Sequence, residues 1–186
     1  MLLQADSALT IELIGLQHAA PLLELTNTSR EHLRPWLTWV DFMQSEAQFQ
    51  QFILNSRKRH ADGQELPCVL VEQGRLAGRI GLYRIDSQHQ TAEIGYWLGT
   101  AFQGRGIATR ACRALAAYAF GGLGLNRIEI RCGTGNLRSQ AVPERLGFAR
   151  EGLLRQAEWL HGEFHDLYLY AMLRSQWQPA AGASQP

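Results

Sequence analysis

The chain has 186 residues, with 18 Lys+Arg against 17 Asp+Glu, a formal net charge of +1 and 46% hydrophobic residues. One domain of this length buries a substantial core, and so even a charge balance argues against nucleic acid or an anionic membrane as the main partner. Cys68, Cys112 and Cys132 lack CxxC spacing and indicate neither a disulfide framework nor a zinc site. No apolar run reaches spanning length and no charged leader opens the chain, so a cytoplasmic protein is expected.

A short alternation (Leu9, Ile11, Leu13) predicts a first strand between Ala8 and Leu16. His18–Leu25 reads as a helix. Glu31–Val40 reads as a second helical piece, with Leu33, Trp36, Leu37 and Val40 on one face and Pro35 near its start. Ser45 followed by Gln48 forms a capping box opening a helix to about Ala61, whose basic end Arg57-Lys58-Arg59-His60 suits the helix dipole as a solvated terminus. Leu66–Glu72 and Leu76–Ile85 are strands joined by Gln73-Gly74-Arg75, a hairpin turn with glycine.

Thr91–Gly121 is the stretch with the most chemistry in it. Ile94, Tyr96 and Leu98 alternate with Glu93, Trp97 and Gly99 as in a strand, and Ile107, Ala111, Leu115 and Ala119 recur at helical spacing. Between them, Gly104 and Gly106 let the backbone turn tightly and approach a ligand. A strand running into a glycine turn at a helix N-terminus presents free N–H groups to an anion, so a phosphorylated ligand is expected there. The turn has no lysine, which excludes a P-loop, and Thr109 stands where the dinucleotide fingerprint needs a third glycine.

Asn126–Cys132 is a further strand, so strand, helix and strand form a crossover with parallel geometry, after an antiparallel meander. Asn136 is an N-cap for a short helix ending before Gly147. Pro143 falls inside that helix, cannot bond the carbonyl of Ser139, and should bend the chain. Leu153–Leu160 alternates, placing Leu154, Gln156, Glu158 and Leu160 on one face, and His161-Gly162-Glu163 reads as a hairpin turn. HExxH is not met, since Gly162 stands where the glutamate is needed, and no Gly-x-Ser-x-Gly exists. Trp36, Trp39 and Trp159 are candidates for lining a groove, or simply for the core. The domain is expected to span 1–174, with 175–186 a disordered tail.

Gln103-Gly104-Arg105-Gly106-Ile107-Ala108 resembles the acyl-coenzyme A loop of the GNAT acetyltransferases. Asn136, Ser139, Gly147 and Phe148 are similar to the corresponding signature of its Rim-type branch, the ribosomal-protein N-acetyltransferases. So are His32-Leu33-Arg34-Pro35-Trp36, Glu93-Ile94-Gly95-Tyr96-Trp97 and the ending Asp166-x-x-x-Tyr170-x-Met172-Leu173. The resemblance covers roughly residues 8 to 174. It implies a mixed α/β GNAT fold with a splayed cofactor cleft, and acetyl-CoA (coenzyme A) held by Leu98, Gln103, Gly104, Arg105, Gly106, Ile107, Ala108, Thr109 and Asn136. It also implies an amine acceptor, first of all the N-terminal α-amine of a ribosomal or other protein, and a monomer or homodimer. Many GNAT enzymes carry a tyrosine acid where Pro143 stands, and the Rim-type resemblance offers Ser139 in its place. Glu158 matches that branch's proposed base, with Glu93 as runner-up. Acetylation of a small amine and a non-catalytic acyl-CoA-binding module remain alternatives. Direct transfer in a ternary complex is expected, and an acetylated Cys68, Cys112 or Cys132 would contradict it.

Overall fold

The computed structural model describes residues 2–178. Strands β1 (Leu2–Gln4) and β2 (Leu9–Leu13) lead into helices α1 (Ala19–Leu33) and α2 (Glu46–Ala61). The meander β3 (Leu66–Glu72), β4 (Arg75–Asp86) and β5 (Thr91–Leu98) follows. Helix α3 (Ile107–Gly121) crosses to β6 (Arg127–Gly133), and α4 (Leu137–Arg145) precedes the hairpin β7 (Ala149–Leu160) and β8 (Glu163–Leu173). All eight strands form one sheet in the order β1-β2-β3-β4-β5-β6-β8-β7. The expected mixed α/β sheet, with its antiparallel meander and parallel crossover, is the architecture observed.

The sheet buries both faces. Ile80, Leu82, Ile94, Ile128 and Ile130 pack under α3 and α4, while Val69 and Trp97 pack with Leu22 of α1 and Phe49 and Ile53 of α2. Between β5 and β6 the sheet parts. Among the described residues the one parallel pairing covers Thr91–Glu93 against Arg127–Glu129. Beyond it, β5 stays paired to β4 and β6 to β8, so Ile94–Leu98 and Ile130–Gly133 diverge around an opening.

Three local expectations change. Helix α1 is one continuous element, where two pieces were expected. The weak helix formers between Leu25 and Glu31 hold because Thr26 and Ser29 are buried, and because Ser29 Oγ accepts from the Thr100 amide at 3.0 Å. Pro35 marks the helix end, not the start of a second one, and Arg34–Trp36 and Thr38–Asp41 are 3-10 turns. Strand β1, unmarked in the sequence, pairs with β2. At the C-terminal end the fold continues past Arg174. Arg174–Gln176 make a 3-10 turn and Trp177 packs on Phe120, ring centroids 5.6 Å apart; positions 179–186 of the expected tail lie outside the described residues. Among the described residues no helix is long and apolar enough to cross a membrane.

Candidate active site

The anion-binding turn forms as its glycines require. Gly104 and Gly106 both have φ +71°, and a Cβ on either would meet nothing within 4 Å, so the loop is open on its ligand side. Upstream, Gly99 permits the close approach of α1, since a Cβ there would stand 2.3 Å from Leu25. The first helical amide to find a carbonyl is that of Arg110, on Gly106 at 3.0 Å. The amides of Ile107, Ala108 and Thr109 therefore point out of the end of a 15-residue helix. Arg105 is exposed beside them, and Arg138 of α4 reaches the loop to donate to Gln103 Oε1 at 2.8 Å. Gln103 Nε2 is buried with no partner. Free amides, two guanidinium groups and an orphaned amide donor fit a pyrophosphate-bearing ligand. Leu98 ends β5 at the lip of the opening, and Asn136 stands across it as the N-cap of α4, its Oδ1 accepting from the Ser139 amide at 3.1 Å.

Ser139 is reached from two strands. Its Oγ donates to Tyr96 Oη at 3.2 Å and lies 3.3 Å from Cys132 Sγ. Tyr96 Oη in turn donates to the Ser139 carbonyl at 2.8 Å. That carbonyl is free because Pro143, four residues on, has no N–H to offer it. One proline thus converts a helical hydrogen bond into a tether across the opening, from β5 to α4. Burial pushes the Tyr96 hydroxyl well above its usual range and Cys132 up to about 11, so both groups stay protonated at neutral pH.

Glu158 approaches the opening from the other face. It pairs with His165, and the same face of β8 carries Leu167 and Leu169, partners of Gly133 and Arg131. Glu129, two residues from Arg131, is the register partner of Glu93, so Glu93, Glu129, Arg131 and Glu158 line one side of the sheet. The two candidate bases differ in their neighbours. Glu93 is paired to Arg84 at 3.0 Å and to Arg131 at 3.5 Å. Glu158 has no arginine or lysine within salt-bridge distance among the described residues. Burial raises both carboxyls; for Glu158 the His165 charge opposes this and Glu93 adds to it, while Glu93 is pulled back by Arg131 and Arg84.

Strand β7 is less regular than its alternation suggested. The register jumps between Leu154 and Glu158, Gln156 has φ +52°, and its amide is taken by Asp166 Oδ1 at 2.7 Å. Four residues of β7 advance against two of β8, so parity survives and Glu158 keeps its face. The tryptophans separate. Trp36 lies over the β6–α4 turn, 3.6 Å from where a Gly135 methyl would be. Nearby, His161 donates to the Arg34 carbonyl at 2.6 Å, closing the hairpin tip against the end of α1. Trp39 packs with Trp97, and Trp159, more than half exposed, stacks edge-on with Phe164 on the side away from Glu158. Sequence reading missed Tyr96, Cys132 and Arg138 as site residues. Only Pro143 signalled the first of them, by leaving one carbonyl without its helical donor.

An anion-binding helix end beside a parted mixed sheet, with a carboxylate on one face and a hydroxyl cluster on the other, is an arrangement suited to acyl transfer. Residues 8–149 match the family described as the acetyltransferase (GNAT) domain, and the chain belongs to that family. YdaF of Bacillus subtilis (strain 168) is 38% identical over 176 residues, 94% of this chain and 96% of that protein. The ribosomal-protein-serine acetyltransferase of Escherichia coli (strain K12) is 32% identical over 171 residues, 92% and 96% of the two chains. Among solved structures, the ribosomal L7/L12 α-N-protein acetyltransferase RimL in complex with coenzyme A superposes with TM-score 0.89 at 27% identity, covering 93% of this chain and 98% of that one.

Proposed function

We propose that this acetyltransferase moves the acetyl group of acetyl-CoA directly to the N-terminal α-amine of a ribosomal or other protein. The observation that carries the reading is a half-buried carboxylate, Glu158, with no arginine or lysine partner among the described residues, facing the opening of a parted GNAT sheet. The relatives named for ribosomal-protein acetylation support the acceptor class.

Acetyl-CoA, when bound, supplies an activated acetyl carbon and a thiol leaving group. The amides of Gly104–Thr109, with Arg105 and Arg138, would hold its pyrophosphate, Gln103 shaping that loop, and Leu98 and Asn136 would flank its path. Glu158 takes the proton that an N-terminal ammonium must lose before nitrogen attacks. Burial raises the Glu93 carboxyl too, but Arg84 and Arg131 engage it and oppose that rise, which leaves it less free than Glu158 to take the proton and suits it to anchor the incoming ammonium. Ser139 Oγ, set between Tyr96 and Cys132, donates to the departing sulfur. Burial pushes the Cys68 thiol up to about 12, Cys132 to about 11 and Cys112 well above its usual value. These are poor nucleophiles, which favours direct transfer over an acetylated cysteine.

Thiol release should be followed over short peptides with free or blocked N-termini and over small amines. Turnover confined to free N-termini supports the reading. Turnover on polyamines or amino acids alone would replace it with a small-amine enzyme. Coenzyme A binding with no turnover on any acceptor would favour a non-catalytic module.

A further inference from the structure

On the α1/α2 face, the side of the sheet that Glu93 and Glu158 also occupy, a second group of polar atoms has no partner among the described residues. Arg79 of β4 and Trp97 of β5 are register partners, 8% and 9% exposed. The Arg79 guanidinium lies over the Phe52 ring, 4.3 Å from its centroid, and its one hydrogen bond is from Nη2 to Tyr83 Oη at 3.4 Å. Arg79 Nε and Trp97 Nε1 are both buried without an acceptor. Among the described residues no carboxylate comes within 4 Å of Arg79. Glu12, in the same cross-strand row through Val69, is two strands and about 10 Å away and stands beside His18 instead. A cavity of about 120 Å³ opens here, lined by Trp39, Met43, Phe49, Phe52, Arg79 and Trp97.

A neutral donor in such a cavity can be served by water. A guanidinium is always charged, and taking it out of water without a negative partner is costly. The walls are otherwise aromatic or thioether, so they suit a carbon body and leave the donors of Arg79 and Trp97 for its polar end. We propose that this cavity is a carboxylate subsite, with Arg79 Nε–H and Trp97 Nε1–H donating to the carboxylate and Trp39, Phe49 and Phe52 holding its carbon chain. Trp97 stands four residues from Glu93 on the same face of β5, about 13 Å along the strand. That is within reach of an acidic side chain a few residues downstream of an acceptor's N-terminus. The carboxylate site stands on the geometry alone; its assignment to the acceptor rests on the reading above.

The first test uses the whole ¹⁵N-labelled chain without any acyl transfer. Acetate and propionate are titrated at constant ionic strength, with acetamide and propionamide as neutral controls, and the indole N–H resonances are followed. The Trp97 resonance, identified by its loss in Trp97→Phe, should move saturably with the carboxylates and not with the amides. The movement should vanish in Arg79→Met, which removes an unpaired buried charge and so should stay folded. No movement, or the same movement in Arg79→Met, overturns the proposal. Peptide acceptors with Glu or Gln at each of the second to sixth positions then identify the source. A KM about tenfold lower for one Glu position, the effect of one charge-assisted hydrogen bond, and equalised in Arg79→Met, assigns the site to the acceptor. Equal KM values with the resonance shift intact assign it to a free small carboxylate. The resonance test survives if the acceptor reading fails.

Discussion

Two glutamates face the same opening, and their neighbours differ. Burial lifts both carboxyls, but two guanidinium groups pull Glu93 back, while among the described residues none reaches Glu158. The Glu158 shift has a consequence for stability. Its folded pKa lies above the ordinary 4.5, so the unfolded chain ionises more readily and stability falls as pH rises through that window. Glutamine does not ionise. Glu158→Gln should therefore melt at a higher temperature than wild type at pH 7 to 8, with the gap closing as pH falls below 4.5; melts across that range test it. A carboxylate merely placed for stability would give the opposite sign. The same substitution should lower kcat by about 10²- to 10⁴-fold, the span of general-base contributions.

At the scale of elements, α4 illustrates how one residue redirects a hydrogen bond. Pro143 frees the Ser139 carbonyl and Tyr96 takes it. Tyr96→Phe should cost about 1–2 kcal/mol, because that carbonyl is left unpaired in a part-buried site. In a Pro143→Ala background the new amide can bond the same carbonyl, so the cost of Tyr96→Phe should shrink by about 1 kcal/mol in a double-mutant cycle from denaturant unfolding. Additive costs would mean the tether does not depend on the proline. The register of α3 depends on a second polar tie. Arg110 joins Asp6 at 2.5 Å and the buried Glu72 at 2.9 Å, which holds Asp6 below its usual range. Arg110→Met should cost about 1–3 kcal/mol, discounted for the partly exposed Arg110 and Asp6. The Asp6 part of that loss should fade in acid, since a lowered carboxyl contributes above its unfolded pKa and ceases to as pH falls through its folded one.

Elements set by local chemistry were legible in the sequence: the Ser45 capping box, the glycines of the α3 turn, and the alternation of β3 to β6. The continuous α1 was not legible, because Thr26 and Ser29 are helical through burial against a distant loop and not through propensity. The β7 bulge was equally hidden, since it depends on Asp166 capping Gln156 across the hairpin. In the site, glycine spacing marked the loop, and the family resemblance offered Asn136, Ser139 and both glutamates as candidates. Tyr96 and Cys132 read as ordinary alternating strand residues, because only the parted sheet brings them to Ser139.

For the molecule as a whole, the informative feature is a sheet of eight strands parted at one parallel joint. Helix α3 brings an anion-binding end to that joint, α4 brings a hydroxyl from one face, and the β7–β8 hairpin brings a carboxylate from the other. In the proposed mechanism acid and base thus reach the opening from opposite sides. Proton removal by Glu158 is the central claim. Its most direct test is the rate of thiol release from acetyl-CoA with a free-N-terminus peptide, wild type beside Glu158→Gln, from pH 6 to 9. The account predicts a deficit of at least about 100-fold near pH 7. It also predicts that the deficit narrows as the N-terminal amine loses its own proton near pH 7.7–8.0, because a neutral amine no longer needs the base. A Glu158→Gln enzyme within a few-fold of wild type at pH 7, with the same pH dependence, would contradict it.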